Sequence, residues 1–481
     1  MPNQALALHR LSARKYDLTG LRTGSIRDQL LRSSLIVSCL FDEGKINSHR
    51  RLLILGAGAS GMNAAMTAAE KGVSVDVLEK NRHPFGSLFD SNWRTIDPVE
   101  YDWPQPHCTD KIFPNGGKGI PLVQSRATGA TLARVWAEKW REWLKDKDGK
   151  NSRGRINLIP EVNAWDFLSF NEISDRIEVT GPWPDGHKSK AYGAILSCIG
   201  FGPERTFDDR TPTKWNDYRG PAFWSDNDGL GIGNPLPTPA RHVLISGGGD
   251  GAMQDFQRAT TGYCGLDLLN SLVEAANTHI PAVSIVPKEM LLDLVLAEDR
   301  GRRAHVWARD KAPPKKALEQ WHESFLNAIS DVTGKISSEQ ARSLLDEILL
   351  PSVSAGTRRV TWVHPEVVPS YAYALNRFLT IFLIGLVYRS AMSSISARPR
   401  ISVEALPNYT IDQITPHHHS CGIADRCNGQ MHTVELESTF GKSRTLTDVD
   451  LIIVRHGALP ERLLDSGPPV PEQMTPFDFP Q

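Results

Sequence analysis

Gly56-Ala-Gly-Ala-Ser-Gly61 is the stretch that most narrows what this chain can become. It follows the apolar run Arg51-Leu-Leu-Ile-Leu55 and precedes Met62 to Lys71, rich in the helix formers Ala and Met. An apolar run of that length reads as a strand buried on both faces. Gly72 closes the helix, and Val73-Ser-Val-Asp-Val-Leu78 reads as a second strand with Glu79 at its tip. The three pieces make a β-α-β unit. Its glycine spacing has a physical purpose: the first Gly permits a tight turn, the second lets a pyrophosphate reach the backbone, and the third lets the helix pack against the strand. The start of the helix offers free N–H groups and the positive end of its dipole to phosphate. A carboxylate at the tip of the second strand, roughly 20 residues on, accepts hydrogen bonds from a ribose diol and repels a 2′-phosphate. Gly56, Gly58, Ser60, Gly61 and Glu79 are therefore expected to hold FAD or NAD rather than NADP. A loop that merely tolerates glycine would explain neither Glu79 nor the repetition of the pattern.

The pattern repeats. His242-Val-Leu-Ile-Ser246 reads as a strand, Gly247-Gly-Gly-Asp-Gly-Ala252 as the loop, and Met253 onward as the helix. Gly247, Gly249 and Ala252 stand where Gly56, Gly58 and Gly61 stand. Asp250 occupies a variable position and is expected to point away from a phosphate. The next strand has two candidates, Ala304-His-Val-Trp-Ala-Arg309 and Arg359-Val-Thr-Trp-Val-His364. The first would put Arg309 against a 2′-phosphate and imply NADP. A repeat that kept its fold and lost its ligand is the alternative. Two closing strands echo each other: Ala194-Ile-Leu-Ser-Cys-Ile-Gly200 before Pro203-Glu204, and Asp450-Leu-Ile-Ile-Val-Arg-His-Gly457 before Pro460-Glu461. Each follows a β-rich stretch, 156–190 and 401–446. The expected organisation is an N-terminal helical appendage (1–49), a first, FAD-binding domain (50–205), the start of a second dinucleotide-binding domain (206–264), a mostly helical insertion (265–395), and a β-meander with closing strand and C-terminal tail (396–481).

Composition closes off other classes. With 481 residues the chain holds about three domains' worth of sequence. Lys plus Arg total 54 against 55 Asp plus Glu, a net charge of −1, which argues against a nucleic-acid binder relying on bulk positive charge. The six cysteines are scattered and form no C-x-x-C, so a reducing, cytoplasmic setting is expected rather than a disulfide scaffold. The stretch Phe378 to Val387 is about half of what a bilayer crossing needs and reads as a buried helix, so no membrane partner is expected. His417, His418 and His419 precede Cys421 and Cys427 without a metal-ligand spacing, so no metal is expected. No G-x-S-x-G marks a nucleophile elbow.

A further cluster spans residues 92–107, dense in aromatic and ionisable groups. Asp102, Trp103 and His107 are the expected catalytic candidates, with Arg94 and Asp97 as further substrate or proton-transfer groups. The competing reading is a Pro-rich loop held rigid by buried Trp and Arg–Asp pairs. Lys118 in Asn115-Gly-Gly-Lys-Gly119 is a weaker phosphate candidate.

The first loop, with Leu78-Glu79-Lys80, Arg82 and Gly86, resembles the FAD site of flavoproteins with two dinucleotide-binding domains, a family that includes thioredoxin reductase-like and flavin monooxygenase-like enzymes. The loop at Gly247 is similar to their NAD(P)H loop, and Leu196-Ser-Cys-Ile-Gly200 to the strand that hands the chain from one domain to the next. The resemblance implies an α/β fold: two Rossmann-like three-layer dinucleotide-binding domains with β-meanders, here with a helical insertion. It also implies that Lys80 and Arg82 lie along the cofactor, that the Val162 backbone meets adenine, and that Gly200 closes the site. The implied activity is an FAD-dependent oxidoreductase reduced by NAD(P)H and acting on a small organic substrate or O2. A flavin-dependent amine or amino-acid oxidase that does not use NAD(P)H, and a non-catalytic dinucleotide-sensing protein, stay open as alternatives. A small-molecule substrate is the expected partner, and the helical segment is where a homodimer contact would form. The chain departs from the family in lacking the redox C-x-x-C, a recognisable monooxygenase fingerprint and a closing G-D near its C-terminus.

Overall fold

The computed structural model describes residues 2–18, 26–97, 100–104, 121–122, 126–145, 154–163, 169–200, 204–207, 212–226, 228, 230, 242–306, 315–349, 358–366, 372–392, 401–418 and 430–457. The contacts divide the chain into two units. One comprises Met1–Val99, Asp110–Pro203 and Pro460–Gln481; the other comprises Glu100–Thr109 and Glu204–Leu459.

The first unit runs α1 (Pro2–His9), β1 (Lys15–Asp17), α2 (Ile26–Asp42), β2 (Leu52–Leu55), α3 (Ala59–Glu70) and β3 (Val75–Leu78). Then come β4 (Thr95–Ile96), β5 (Ala127–Thr128), α4 (Gly129–Lys145), β6 (Ile156–Ile159), β7 (Ser169–Ile173), β8 (Arg176–Thr180), β9 (Ser189–Tyr192) and β10 (Ala194–Ser197). Five strands form a parallel sheet in the order β1-β10-β2-β3-β6. β2, β3 and β10 are buried at every residue, as helices on both faces of a parallel sheet require. β7, β8 and β9 make a separate antiparallel meander. On α4, Trp136, Trp140 and Trp143 line one buried face at helical spacing.

The segment 1–49, expected as a helical appendage, packs on the first unit and adds a strand to this sheet. β1 adds an edge strand, with Lys15 opposite Ile195, and the buried Arg14 donates to the Gly193 carbonyl at 2.7 Å. α2 lies along α3, where the buried Asn63 amide donates to the Leu30 carbonyl and to the hydroxyls of Ser33 and Ser34. Lys-Tyr-Asp carries no apolar run, so pattern alone does not reveal the strand.

The second unit runs β11 (His242–Ser246), α5 (Asp250–Thr261), α6 (Gly265–His279), α7 (Lys288–Val306), α8 (Lys315–Gly334), α9 (Ser338–Ile348), β12 (Arg358–His364) and α10 (Ala374–Ala391). β13 (Ile401–Pro407), β14 (Tyr409–His418), β15 (Gln430–Ser438), β16 (Ser443–Val449) and β17 (Leu451–Val454) complete it. Its parallel sheet has the order β13-β12-β11-β17, beside the antiparallel meander β14-β15-β16. Strand for strand, β17-β11-β12-β13 repeats β10-β2-β3-β6. The expected succession of β-α-β, helices, meander and closing strand holds in both halves.

One expectation for this half is corrected. The strand after α5 is β12, while Ala304 to Val306 end helix α7, so the premise that put Arg309 at a strand tip is removed. Arg309 itself lies outside the described residues. The stretch 265–395, expected as a mostly helical insertion, carries α6 to α10 and also one strand of the sheet. That strand is β12, and Leu272 of α6, Trp321 and Phe325 of α8, Leu344 of α9 and Phe378 of α10 share one core with Val243 and Val360 of the sheet. α10 is long and apolar enough to span a bilayer by length and composition, yet most of it is buried in that core.

Candidate functional site

The first loop has the geometry its spacing demands. Gly56 turns at φ +94°, and a Cβ there would stand 2.6 Å from the Cys198 carbonyl oxygen at the end of β10. A Cβ on Gly61 would come within 1.9 Å of the Gly56 oxygen. The middle glycine differs: a Cβ on Gly58 would have no atom within 4 Å. The outer two are packed against backbone and the central one faces open space. No side chain caps α3, which leaves the amides of its first turn for an anion. A diphosphate thus meets a cradle with no side chain to displace, and the residues present fit the group.

Glu79 sits 7% exposed at the tip of β3. Its Oε2 accepts from the Ala57 N–H at 2.6 Å and its Oε1 from the Asn81 N–H at 2.8 Å. The carboxylate therefore joins strand tip to loop and keeps lone pairs for ribose hydroxyls. The Val162 N–H donates to the Glu79 carbonyl at 2.9 Å, so an adenine edge would have to meet the Val162 carbonyl rather than its amide. Lys80 and Arg82 are exposed at the rim. Gly200 adopts φ +80° with no atom within 4 Å of a Cβ, leaving the end of the closing strand open. Burial pushes the Cys198 thiol well above its usual range, against a hydrogen bond with Ser60, so it stays a thiol.

The second loop repeats this geometry. Gly247 has φ +138°, and a Cβ there would stand 2.1 Å from the Arg455 oxygen, the counterpart of Cys198. Gly249 faces open space and Ala252 is fully buried. Asp250 is turned aside, its Oδ1 accepting from the Tyr373 N–H and the Asn376 side-chain amide, both at 2.8 Å. Burial raises its carboxyl to about 7 in spite of those two bonds. Leu55 pairs with Leu78 in one sheet and Ser246 with Val363 in the other, so His364 stands where Glu79 stands. Trp362 donates its indole N–H to the Gly247 carbonyl at 2.7 Å, and its ring lies 4.7 Å from that of His364. Behind them the fully buried Arg377 donates to His322 Nδ1 at 2.9 Å, with its guanidinium carbon 3.8 Å from the centre of the Trp321 ring. The sequence reading names His364 only as the end of one candidate strand and does not single out Asn376 or Arg377; the register of β12 places the first, and the contacts of α10 place the other two.

Burial pushes His364 down to about 4, and burial with the nearby Arg377 does the same to His322. Both rings are neutral at pH 7. Between about 4 and their ordinary value of 6.5 the unfolded chain binds protons that the folded chain refuses. Their contribution is complete above 6.5 and is lost as pH falls through that window. Asp250 works in the opposite sense: it contributes below its ordinary 3.8 and loses that as pH rises toward 7. Replacing His322 with Gln should lower the slope of unfolding free energy between pH 4.5 and 6 by roughly one proton, about 1.4 kcal/mol per pH unit. Urea unfolding at a series of pH values reads this directly, and an unchanged slope would show that His322 is charged in the folded protein.

The expected catalytic stretch is divided between the two units. Asp97 pairs with Arg126 at 3.5 Å in the first unit, where Arg94 is also buried. Asp102 and Trp103 belong to the second unit, each 5% exposed. Trp103 packs 5.1 Å from Phe378 within the core of the second unit. His107 and Lys118 lie outside the described residues, as do His419, Cys421 and Cys427. His417 faces Asp448 at 3.4 Å. Among the described residues no group of three or more His, Cys, Asp and Glu gathers as a metal site.

The family described as NAD(P)-binding Rossmann-like domain matches residues 54–108, which run from the end of β2 through the loop, α3 and Glu79. A 4,4'-diapolycopene oxygenase from Methylomonas sp is 25% identical over 182 residues, 34% of this chain and 35% of that protein. The chain thus spans about a third of the length of this curated relative. Among solved structures, thioredoxin reductase from Lactococcus lactis is 11% identical with a TM-score of 0.38, covering 85% of this chain and 77% of that one. The thioredoxin reductase of T. acidophilum gives 11%, 0.38, 86% and 78%. A bacillithiol disulfide reductase from Staphylococcus aureus gives 12%, 0.38, 87% and 80%.

Proposed function

We propose that the protein is an FAD-dependent oxidoreductase, with the flavin dinucleotide on the Gly56–Gly61 loop and a nicotinamide dinucleotide as reductant on the Gly247–Ala252 loop. The observation that carries the reading is the open face of Gly58 between two packed glycines, with the Glu79 carboxylate at the adjoining strand tip. The bound flavin would supply hydride and electron transfer. The chain's own residues then have definite tasks. Gly58 and the first turn of α3 seat the diphosphate. Glu79 accepts from the ribose and keeps the Ala57 amide in place. Gly249 and the first turn of α5 offer the same surface to the second nucleotide. The Methylomonas relative is an oxygenase, which supports O2 or a small organic molecule as the electron acceptor. Thiol–disulfide exchange has no support, because the chain has no C-x-x-C and Cys198 is a buried thiol.

The purified protein should show the yellow absorption of oxidised flavin, before or after incubation with FAD, and lose it under anaerobic conditions on addition of NADH or NADPH. A colourless protein that also refuses added FAD would end the proposal. Bleaching by an amine with no response to either nicotinamide would replace the reductant assignment with an oxidase.

A further inference from the structure

The second loop lacks the carboxylate that reads ribose in the first, and what stands in its place is an imidazole. His364 occupies the register position of Glu79, 3% exposed; its ring hydrogen-bonds the Glu366 backbone, while its Nδ1 is left without a partner. Asn376, 1% exposed on α10, has the same feature at Oδ1. Buried polar atoms without partners are uncommon in folded proteins and call for an explanation. Both groups are tied to the loop. The Asn376 amide nitrogen donates to Asp250, which fixes the side-chain oxygen as the atom left over. The His364 ring lies against Trp362, whose indole holds the Gly247 carbonyl. In the loop itself Gly249 faces open space, and α5 has no side-chain cap.

Building on the nicotinamide assignment above, we infer that the second loop takes an adenosine diphosphate group with a free ribose diol, whose two hydroxyls donate to His364 Nδ1 and Asn376 Oδ1. A vicinal diol is a pair of donors and matches a pair of acceptors. A 2′-phosphate offers only acceptor oxygens, so it would leave both atoms unpaired and set like dipoles against each other. Arg377 is a cation near His364, but it is fully buried: one terminal nitrogen is engaged by His322 and the guanidinium lies over Trp321, with the carboxyl groups of Asp250 and Glu298 in the same surroundings. The exposed Glu366, two residues past His364, adds a further negative charge on the same strand end. The ligand class is therefore an NADH-type dinucleotide and not its 2′-phosphorylated relative.

Isothermal titration of the full-length, FAD-loaded protein tests this, since flavin on the first loop leaves only the second for the probe. ADP-ribose should bind at least about tenfold more tightly than 2′-phospho-ADP-ribose, the scale of discrimination that a site with committed polar groups reaches. His364→Leu should weaken ADP-ribose by about tenfold and erase the preference, while His364→Gln, which keeps an acceptor, should retain most of both. The preference of the unsubstituted protein is a measurement that needs no variant to fold. Equal or tighter binding of the 2′-phosphorylated probe overturns the inference. So does a failure of ADP-ribose to bind while the flavin colour persists, a result that leaves the FAD assignment standing. A protein that takes neither FAD nor ADP-ribose overturns both.

Discussion

Gly58→Ala should fold as stably as the parent protein and fail to keep FAD, whereas Gly61→Ala should lose stability before any ligand is added. The two positions lie three residues apart in one loop and carry the same substitution, so the contrast isolates what each glycine does. At Gly58 the backbone has φ −71°, which alanine adopts freely, and the added methyl would touch nothing within 4 Å. Removing a glycine at a compatible conformation even stabilises slightly, by about 0.4–1 kcal/mol, because the unfolded chain has fewer states to lose. The methyl instead points into the open space where the proposed diphosphate would lie. A methyl forced into a filled contact costs about 1–3 kcal/mol, which corresponds to roughly 10- to 100-fold in FAD affinity. At Gly61 the methyl would lie 1.9 Å from the Gly56 oxygen, a backbone atom with no rotamer to escape through. The helix must then move off the strand, and the apoprotein should lose about 3 kcal/mol or more. Urea unfolding of the two apoproteins, with flavin content read from visible absorbance, separates the cases. A Gly58→Ala protein that loads FAD normally would show that the diphosphate does not pass this face.

Much of the two cradles is legible from spacing, because the constraint is local: a turn, a backbone approach and a helix–strand contact, each written as a glycine. The repeat of the pattern at Gly247 and the paired closing strands are legible for the same reason. What escapes depends on pairing across long sequence separations. β1 is three residues long with only Tyr16 apolar, and nothing in Lys-Tyr-Asp tells that it will lie beside Ile195. The choice between two candidate strands after α5 could not be made from composition, since Ala304 to Arg309 is as apolar as a strand need be; the chain resolves it by pairing His242 with Arg359. With that choice, Arg309 gives way to His364 as the residue at the strand tip, and the expected nucleotide preference changes with it. Trp103 shows the converse limit. Its aromatic, acid-rich neighbourhood reads as a site, but a tryptophan's large apolar surface is satisfied as well by a core, and Phe378 provides one.

The larger expected loss of stability belongs to Asp255 on α5. This carboxylate is fully buried and stands between two arginines: Oδ2 accepts from Arg455 Nε at 2.7 Å, and Oδ1 lies 3.4 Å from a terminal nitrogen of Arg258. Arg258 also meets Asp228, and Arg455 meets Glu204 at 3.2 Å and the Pro221 carbonyl. The side chains of both arginines are only 3% exposed, so neither can recover its hydration if a partner is removed. Deleting one member of a buried ion network leaves uncompensated charge and typically costs about 3–5 kcal/mol. Asp255→Ala should therefore lower the unfolding free energy by about that amount, and Asp255→Asn, which keeps the volume, should recover little of it. The charge rather than the shape is what Arg455 needs. The decisive comparison is the double replacement Asp255→Leu with Arg455→Met. It removes the charge together with its closest partner, and apolar replacements of buried pairs are often close to neutral. It should unfold at a higher denaturant concentration than Asp255→Ala alone, even though it alters more atoms. Arg455 also supplies the carbonyl that faces Gly247, so loosening it should reach the second loop and weaken ADP-ribose there while leaving flavin content unchanged. If Asp255→Ala stays within about 1 kcal/mol of the parent, the network relaxes into water and its burial contributes little to stability.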